Sequence, residues 1–417
     1  MQRIAIIAQG SRKWIGGVEY TKNLLTAIDS LPTRSQFHVI LVLQRGMEEV
    51  LFKEAAALAD STVWTEPPKQ ASKALSMVLK KLELPLLIKS PLHTFFSAPS
   101  PLAAVCKKER ADFVYPVMSF SKGFTGMKWA AWIPDFQHKV LPHFFSKAEI
   151  ETRDRQYTDL LNSAPIVVFS SQASLDDMRR YYPDAKPKAT FVLSFASLPA
   201  LPSSPEAPQQ VQHKYNLPDR FLIVCNQFWQ HKNHFTVLKA LSLLRSRGLE
   251  IPLVCTGSVS DYRKPEYFND ILKFVNENGL AEQVTFLGLI PREDQWQLLR
   301  RACAVVQPSL FEGWSTVVED SKSLGKKVFL SDLAVHREQA PVGGQYFPVE
   351  DDIRLADLIA QSWAELEAGP DLEAEFSANA RSEQLLRQFG ERFEVLVQTP
   401  IRMTTRTKVI DTSVAPT

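Results

Sequence analysis

The stretch "AVVQPSLFEGWSTVVEDSKSLGKKVFLSD", residues 304–332, reads in the order strand, loop, helix, strand. That order belongs to a parallel βαβ unit. The helix is expected to begin near Ser315 or Thr316, either of which suits an N-cap, and to end at Gly325. The N–H groups of Gly313, Trp314 and Ser315 then lie at a helix N-terminus, where orphan donors and the dipole attract a phosphate or another anion. Gly313 would let a ligand approach bare backbone. At about 100° per residue, Val317, Val318, Ser321 and Leu324 share one face, read as buried. Glu319 is expected to point away from that face into water, and Asp320 to lie on its flank with Thr316, facing a ligand.

Outward from this unit the same alternation fills the chain. In the second half, strands are expected in "RFLIVCNQF" (220–228), "IPLVCTG" (251–257), "QVTFLG" (283–288) and "CAVVQPS" (303–309), with helices over 233–248, 264–279 and 292–302. In the first half, "RIAIIAQG" (3–10), "FHVILVLQ" (37–44), "FVYPV" (113–117), "KWAAWIP" (128–134) and "PIVVFSS" (165–171) are read as strands. Between them, "ASLPALPSSPEAPQQVQHKYNLP" (196–218) carries five prolines and is expected to be a linker without helix or central strand. The resulting division is a first domain over 1–198, a linker over 199–218, a second domain over 219–395 whose last helix packs back on the first, and a loosely ordered tail over 396–417. Two doubly wound α/β domains in tandem put the carboxyl ends of two parallel sheets opposite each other, so the active site is expected in the cleft between them.

At 417 residues the chain exceeds what one core usually organises. A net charge of +2 argues against nucleic acid as partner. Cys106, Cys225, Cys255 and Cys303 form no C-x-x-C pair and read as reduced core residues. "MQRIAIIAQGSRKW" lacks the apolar core of a signal peptide, and no stretch approaches the roughly 20 apolar residues of a membrane span, so a cytoplasmic protein is expected.

Glu312-Gly313-Trp314, the apolar run after it, Asp320 eight positions beyond Glu312 and the closing Gly325 resemble the signature of the retaining glycosyltransferases of family 4. That family's second acid is a Glu, so Asp320 is one methylene shorter, with Glu319 as neighbour. "NQFWQHKNH" (226–234), "PLVCTGS" (252–258), "VTFLGLIPREDQWQLLRRACAVVQPS" (284–309) and "SDLAVHREQAPVGGQYFPVEDD" (331–352) resemble its other segments, in the same order. The resemblance implies a GT-B fold, with two Rossmann-like domains facing across a cleft, the first for the acceptor and the second for a nucleotide-diphosphate sugar. It implies Glu312 beside the donor sugar as a catalytic residue and Asp320, or Glu319 in its place, on the ribose hydroxyls. A carboxylate suits both tasks because it accepts paired hydrogen bonds from vicinal hydroxyls. Lys232 falls on the family's phosphate-binding lysine, Gln227 on its arginine, and Gly257, Leu289, Gly313, Trp314, Ser315 and Thr316 around the donor. No cofactor and no metal are implied, and the chain has no Asp-x-Asp.

In the first domain Gly16 and Gly17, after the first strand, resemble the family's Gly-Gly loop for donor phosphate and acceptor, with Arg12 and Lys13 as nearby charge. "WIPDFQHKVLPHFFSKAEIETRD" (132–154) resembles the family's His-Asp segment: Asp135 and Pro142 match, but Pro134 replaces the histidine. His138 is read either as a substitute catalytic histidine or as an ordinary loop residue; His231 and His234, taken alone, read as packing or surface residues.

The leading expectation is a hexose-type transferase acting on a glycan or lipid-linked acceptor in polysaccharide synthesis. Two others fit the same residues: a nucleotide-sugar-binding protein that has lost catalysis, and another GT-B enzyme such as an epimerase or phosphorylase. "KQASKALSMVLKKLELPLLIKS" (69–90) is read either as an amphipathic helix packed on the first domain or as a contact with an anionic membrane at its inner face.

Overall fold

The computed structural model describes residues 1–65, 100–198, 204, 206–400 and the backbone of 408–409. The segment 69–90 and most of the tail lie outside them. The first sheet contains β1 (Gln2–Ile7), β2 (Phe37–Leu43), β3 (Ser61–Trp64), β4 (Phe113–Val117), β5 (Trp129–Ile133), β6 (Ile166–Phe169) and β7 (Ala189–Val192). All run parallel in the order β7-β6-β5-β4-β1-β2-β3, and Lys408–Val409 pairs beside β7. The second sheet contains β8 (Leu222–Cys225), β9 (Leu253–Thr256), β10 (Val284–Gly288), β11 (Ala304–Gln307), β12 (Val328–Ser331) and β13 (Gln345–Phe347), parallel in the order β10-β9-β8-β11-β12-β13. This is the expected pair of doubly wound domains.

The strands read as unbroken apolar runs because helices cover both faces of each sheet. Residues Ile4 to Ile7 of β1 and all of β8 are buried. Each strand order reverses beside the sheet's first strand, between β1 and β4 and between β8 and β11, which opens a crevice at the carboxyl ends.

The long helix Leu372–Gln398 starts on the second domain, where Arg300 pairs with Glu375, and finishes on the first, where Phe389, Phe393, Leu396 and Val397 enter the core. Gly390 permits the crossing: a Cβ there would lie 2.4 Å from the carbonyl oxygen of Ala27. The proline-rich stretch corrects one expectation, since Ala207–Lys214 is helical. Its Pro208 sits in the first turn, where the missing N–H has no helical partner to lose. All four cysteines are free and buried, as expected. Among the described residues no helix is long and apolar enough to cross a membrane.

Candidate functional site

The facing sheet ends enclose a cavity of about 260 Å³ that opens to solvent, near the lower end of the roughly 300–1,000 Å³ of pockets for drug-sized ligands. Pro134 and Ser170, just past β5 and β6, form one wall; Asn226, Gly257 and the Phe311–Val317 segment, past β8, β9 and β11, form the other.

Glu312 sits in the loop after β11. Its Oε1 accepts hydrogen bonds from Lys232 Nζ at 2.6 Å, Ser309 Oγ at 2.7 Å and Gln307 Nε2 at 2.8 Å. Gln307 is oriented in turn by Asn226 Nδ2 at 2.9 Å. No described residue donates to Oε2, and Glu312 lines the cleft. One oxygen therefore anchors the carboxylate while the other stays available. Lys232 ends a short turn, Gln230–Lys232, followed by Asn233 in the left-handed region at φ 54°, a conformation Asn tolerates. The Asn233 amide donates to the Pro308 carbonyl at 3.1 Å and so ties the lysine loop to the glutamate loop.

The helix Thr316–Ser323 is capped by Ser315, whose Oγ accepts from the Val318 N–H. The N–H groups of Gly313, Trp314, Thr316 and Val317 donate to no described residue and stand at the cleft wall. The Ser315 N–H, expected among them, is instead taken by Gln339 Oε1 at 3.2 Å.

Asp320 lines the cleft with both oxygens engaged: Oδ1 accepts from Ser197 Oγ at 2.9 Å and Oδ2 from Arg292 Nη2 at 2.6 Å. Arg292 also lies 3.6 Å from Glu19 of the first domain and 4.4 Å over the Trp296 ring. Burial pushes the Asp320 carboxyl up to about 6.

With this geometry, residues 206–383 match the family model described as "Glycosyl transferases group 1". Over that stretch the chain is similar to group 1 glycosyl transferases. It is 25% identical over 229 residues to O-antigen chain mannosyltransferase B of Escherichia coli, an alignment covering 54% of this chain and 58% of that relative's length. The fold is of the GT-B type. It resembles the Anabaena protein Alr3699/HepE in complex with UDP and glucose, with TM-score 0.67, 16% identity and coverage of 96% and 100% of the two chains. It likewise resembles sucrose-phosphate synthase from Thermosynechococcus elongatus, with TM-score 0.61, 16% identity and coverage of 95% and 96%.

Of the expected residues, the second domain brings Gln227, Lys232, Gly257, Leu289, Glu312, Gly313, Trp314, Ser315, Thr316 and Asp320 to the cleft, and the first domain brings Gly16 and Asp135. Three stand elsewhere. Glu319 is 3% exposed, accepts from Gln339 Nε2 at 2.9 Å and Lys322 Nζ at 3.0 Å, and lies off the cleft. The helix is buried almost all round because helix Ala334–Gln339 and the start of Leu372–Gln398 cover what looked like its wet side. His138 is fully buried, with Nε2 3.1 Å from both Asp154 Oδ1 and the Tyr182 hydroxyl, so it is placed as a packing histidine. Gly17 serves its own loop, where a Cβ would strike Gly10 at 2.8 Å.

Gly313 also changes meaning. A Cβ there would lie 2.4 Å from the Pro134 carbonyl oxygen, so it is the other domain, not a ligand, that approaches the bare backbone. Trp314 donates its Nε1–H to the Phe195 carbonyl at 2.8 Å, and Gln227 donates to the Lys13 carbonyl at 3.1 Å, two further ties across the domains. Arg12 pairs with Glu48 instead of facing the cleft. Sequence reasoning missed Glu19, Trp132, His231 and Arg292 in the lining; the nearest signal was for Arg292, three residues after the expected Leu289.

Proposed function

We propose that this protein transfers a sugar from a nucleotide-diphosphate sugar to a glycan or lipid-linked acceptor, in the cytoplasm and for surface polysaccharide. The reaction proceeds with retention at the anomeric carbon and without a metal. One observation carries the reading: the Glu312 carboxylate, anchored through one oxygen, opens its other oxygen to a cleft that also holds Lys232 and a helix N-terminus. Breaking the bond between sugar carbon and diphosphate leaves positive charge on the sugar and negative charge on the leaving group. Preorganised opposite charges and N–H donors stabilise that separation. Glu312 meets the first; Lys232 and the free N–H groups of the Thr316–Ser323 helix meet the second. The UDP and glucose held by the Anabaena protein and the name of the Escherichia coli relative agree with such a donor.

Binding without turnover is the second reading. The engagement of both Asp320 oxygens by Ser197 and Arg292 favours it, because ribose hydroxyls would have to share oxygens already committed to that tie. A panel of UDP-, GDP- and ADP-sugars, followed for transfer and hydrolysis with and without chelator, separates the two. Sugar release by wild type that Glu312→Gln abolishes, with the product anomer unchanged from the donor by NMR, supports transfer. Tight binding with no turnover toward any acceptor supports the second reading, and loss of activity in chelator would end metal independence.

A further inference from the structure

His231 lies on the turn Gln230–Lys232 and lines the cleft beside Lys232, though the residue is only 5% exposed. Its Nδ1 is 3.2 Å from Arg263 Nη2. A guanidinium can only donate, so Nδ1 is the accepting nitrogen and the ring proton belongs on Nε2. Nε2 meets no described residue. Arg263 is fixed as well: its Nε donates to Asp261 Oδ1 and its Nη1 to Gln137 Oε1, both at 3.1 Å, while Asp261 Oδ2 accepts from the Gln230 N–H at 3.2 Å. Gln137 comes from the first domain and also lines the cleft, so the lock on the imidazole is completed across the domain boundary.

We propose that His231 is a donor-binding residue whose Nε2–H, held in that tautomer by Arg263, hydrogen-bonds an oxygen of the donor's diphosphate. This rests on the nucleotide-sugar reading above and deepens it. The family's arginine position is Gln227 here, and Gln227 is drawn off to the Lys13 carbonyl. An uncharged N–H beside Lys232 supplies a contact there. The charged and titratable groups around the ring are Lys232, Arg263 and His234, with Glu312 bonded to Lys232 and Asp261 bonded to Arg263. Burial, then the positive neighbours, hold the ring well below the ordinary histidine range. His231 thus donates without titrating near neutral pH, and Arg263 is its positioning residue.

The test uses the full chain, with UDP and GDP as probes in titration calorimetry between pH 6 and 8. His231→Leu is expected to bind the preferred nucleotide roughly tenfold or more weakly, in line with loss of one hydrogen bond to a charged group. His231→Gln, which returns an N–H near the place of Nε2, is expected to recover most of the loss. Arg263→Met removes the donor that fixes the tautomer, so it is expected to weaken binding in the wild-type background and to have little further effect in His231→Leu. A merely structural histidine would give no rescue by Gln, and an Arg263 acting on its own would weaken both backgrounds alike. Unweakened binding by His231→Leu, failed rescue, or equal weakening by Arg263→Met in both backgrounds each overturns the proposal while leaving the nucleotide-sugar reading in place. Wild type that binds neither probe overturns both.

Discussion

Lys232 Nζ lies 2.6 Å from Glu312 Oε1, so the cation proposed to meet the leaving group also anchors the carboxylate proposed to meet the sugar. Both side chains are largely buried, and breaking such a pair leaves one charge uncompensated. A substitution at either position therefore disturbs the other unless shape and acceptors are kept.

Glu312→Gln keeps the anchor: the amide oxygen still accepts from Lys232, Ser309 and Gln307, while the charge is lost and the open oxygen becomes an NH2 donor. Turnover is expected to fall by about 100-fold or more, the scale of losing one preorganised electrostatic group, with nucleotide affinity changed less than about threefold. Steady-state rates beside calorimetric binding check this. A variant keeping a tenth of wild-type turnover would remove Glu312 from the chemistry.

Asp320 and Glu319 are neighbours in sequence with different surroundings. Asp320→Ala is expected to weaken nucleotide binding, because it opens the cleft wall and strands Arg292. Glu319→Ala is expected to leave binding near wild type and to lower the melting temperature, since it takes one of two acceptors from the buried Gln339 amide and removes the partner of the Lys322 amine. The loss should be about 1–3 kcal/mol. Equal effects of the two substitutions on binding would contradict the placement.

Arg292→Ala leaves Asp320 and Glu19 facing each other without their shared cation. Removing one partner of a buried pair typically destabilises by about 3–5 kcal/mol. Adding Asp320→Asn to Arg292→Ala should recover part of that loss, because the uncompensated charge is gone. Thermal and urea unfolding of the single and double variants measure it, and a double variant no more stable than Arg292→Ala would show that the pair does not couple.

The parts of this site that were legible in sequence are those fixed locally. β4, β5, β8, β9 and β11 fall on the apolar runs because a parallel strand buried on both faces must be apolar throughout. Ser315 caps its helix, and Gly325 closes it at φ 61°, where glycine is favoured. Glu319 was misplaced because a helical wheel grants one wet side, whereas Gln339 and Ala374 arrive from later in the chain to cover it. The bond from Ser197 to Asp320 spans 123 residues and the Arg263–Gln137 bond 126, and neither leaves a local pattern. The helix Ala207–Lys214 was missed by counting prolines, when the position of Pro208 in the first turn decides the matter.

Gly313→Ala tests whether the cleft wall is also a domain contact. The new methyl would meet the Pro134 carbonyl oxygen at 2.4 Å and Asp135 Cβ at 2.8 Å, distances that require the backbones to separate. Secondary structure by circular dichroism should be unchanged, the radius of gyration in solution scattering slightly larger, and turnover reduced about tenfold or more through misplaced groups. Unchanged scattering and unchanged turnover together would show that the contact is not maintained in solution.

Asp320 gives the site a pH dependence whose sign can be worked out. An unfolded Asp titrates near 3.9, and burial pushes the folded carboxyl up to about 6. Between about pH 4 and 6 the folded chain holds a proton that the unfolded chain has lost, so this residue's unfavourable contribution to stability is absent below about pH 4, grows as pH rises to about 6 and stays constant above. Binding runs the other way. Protonation removes the charge opposite Arg292 and turns one acceptor oxygen into a donor, which loosens the tie between Arg292, Asp320 and Ser197. Nucleotide affinity is therefore expected to fall as pH drops below about 6, and Asp320→Asn, which cannot titrate, to lack that limb. Affinity measured from pH 5 to 8 for both proteins decides the point: parallel curves would mean that some other group sets the acid limb.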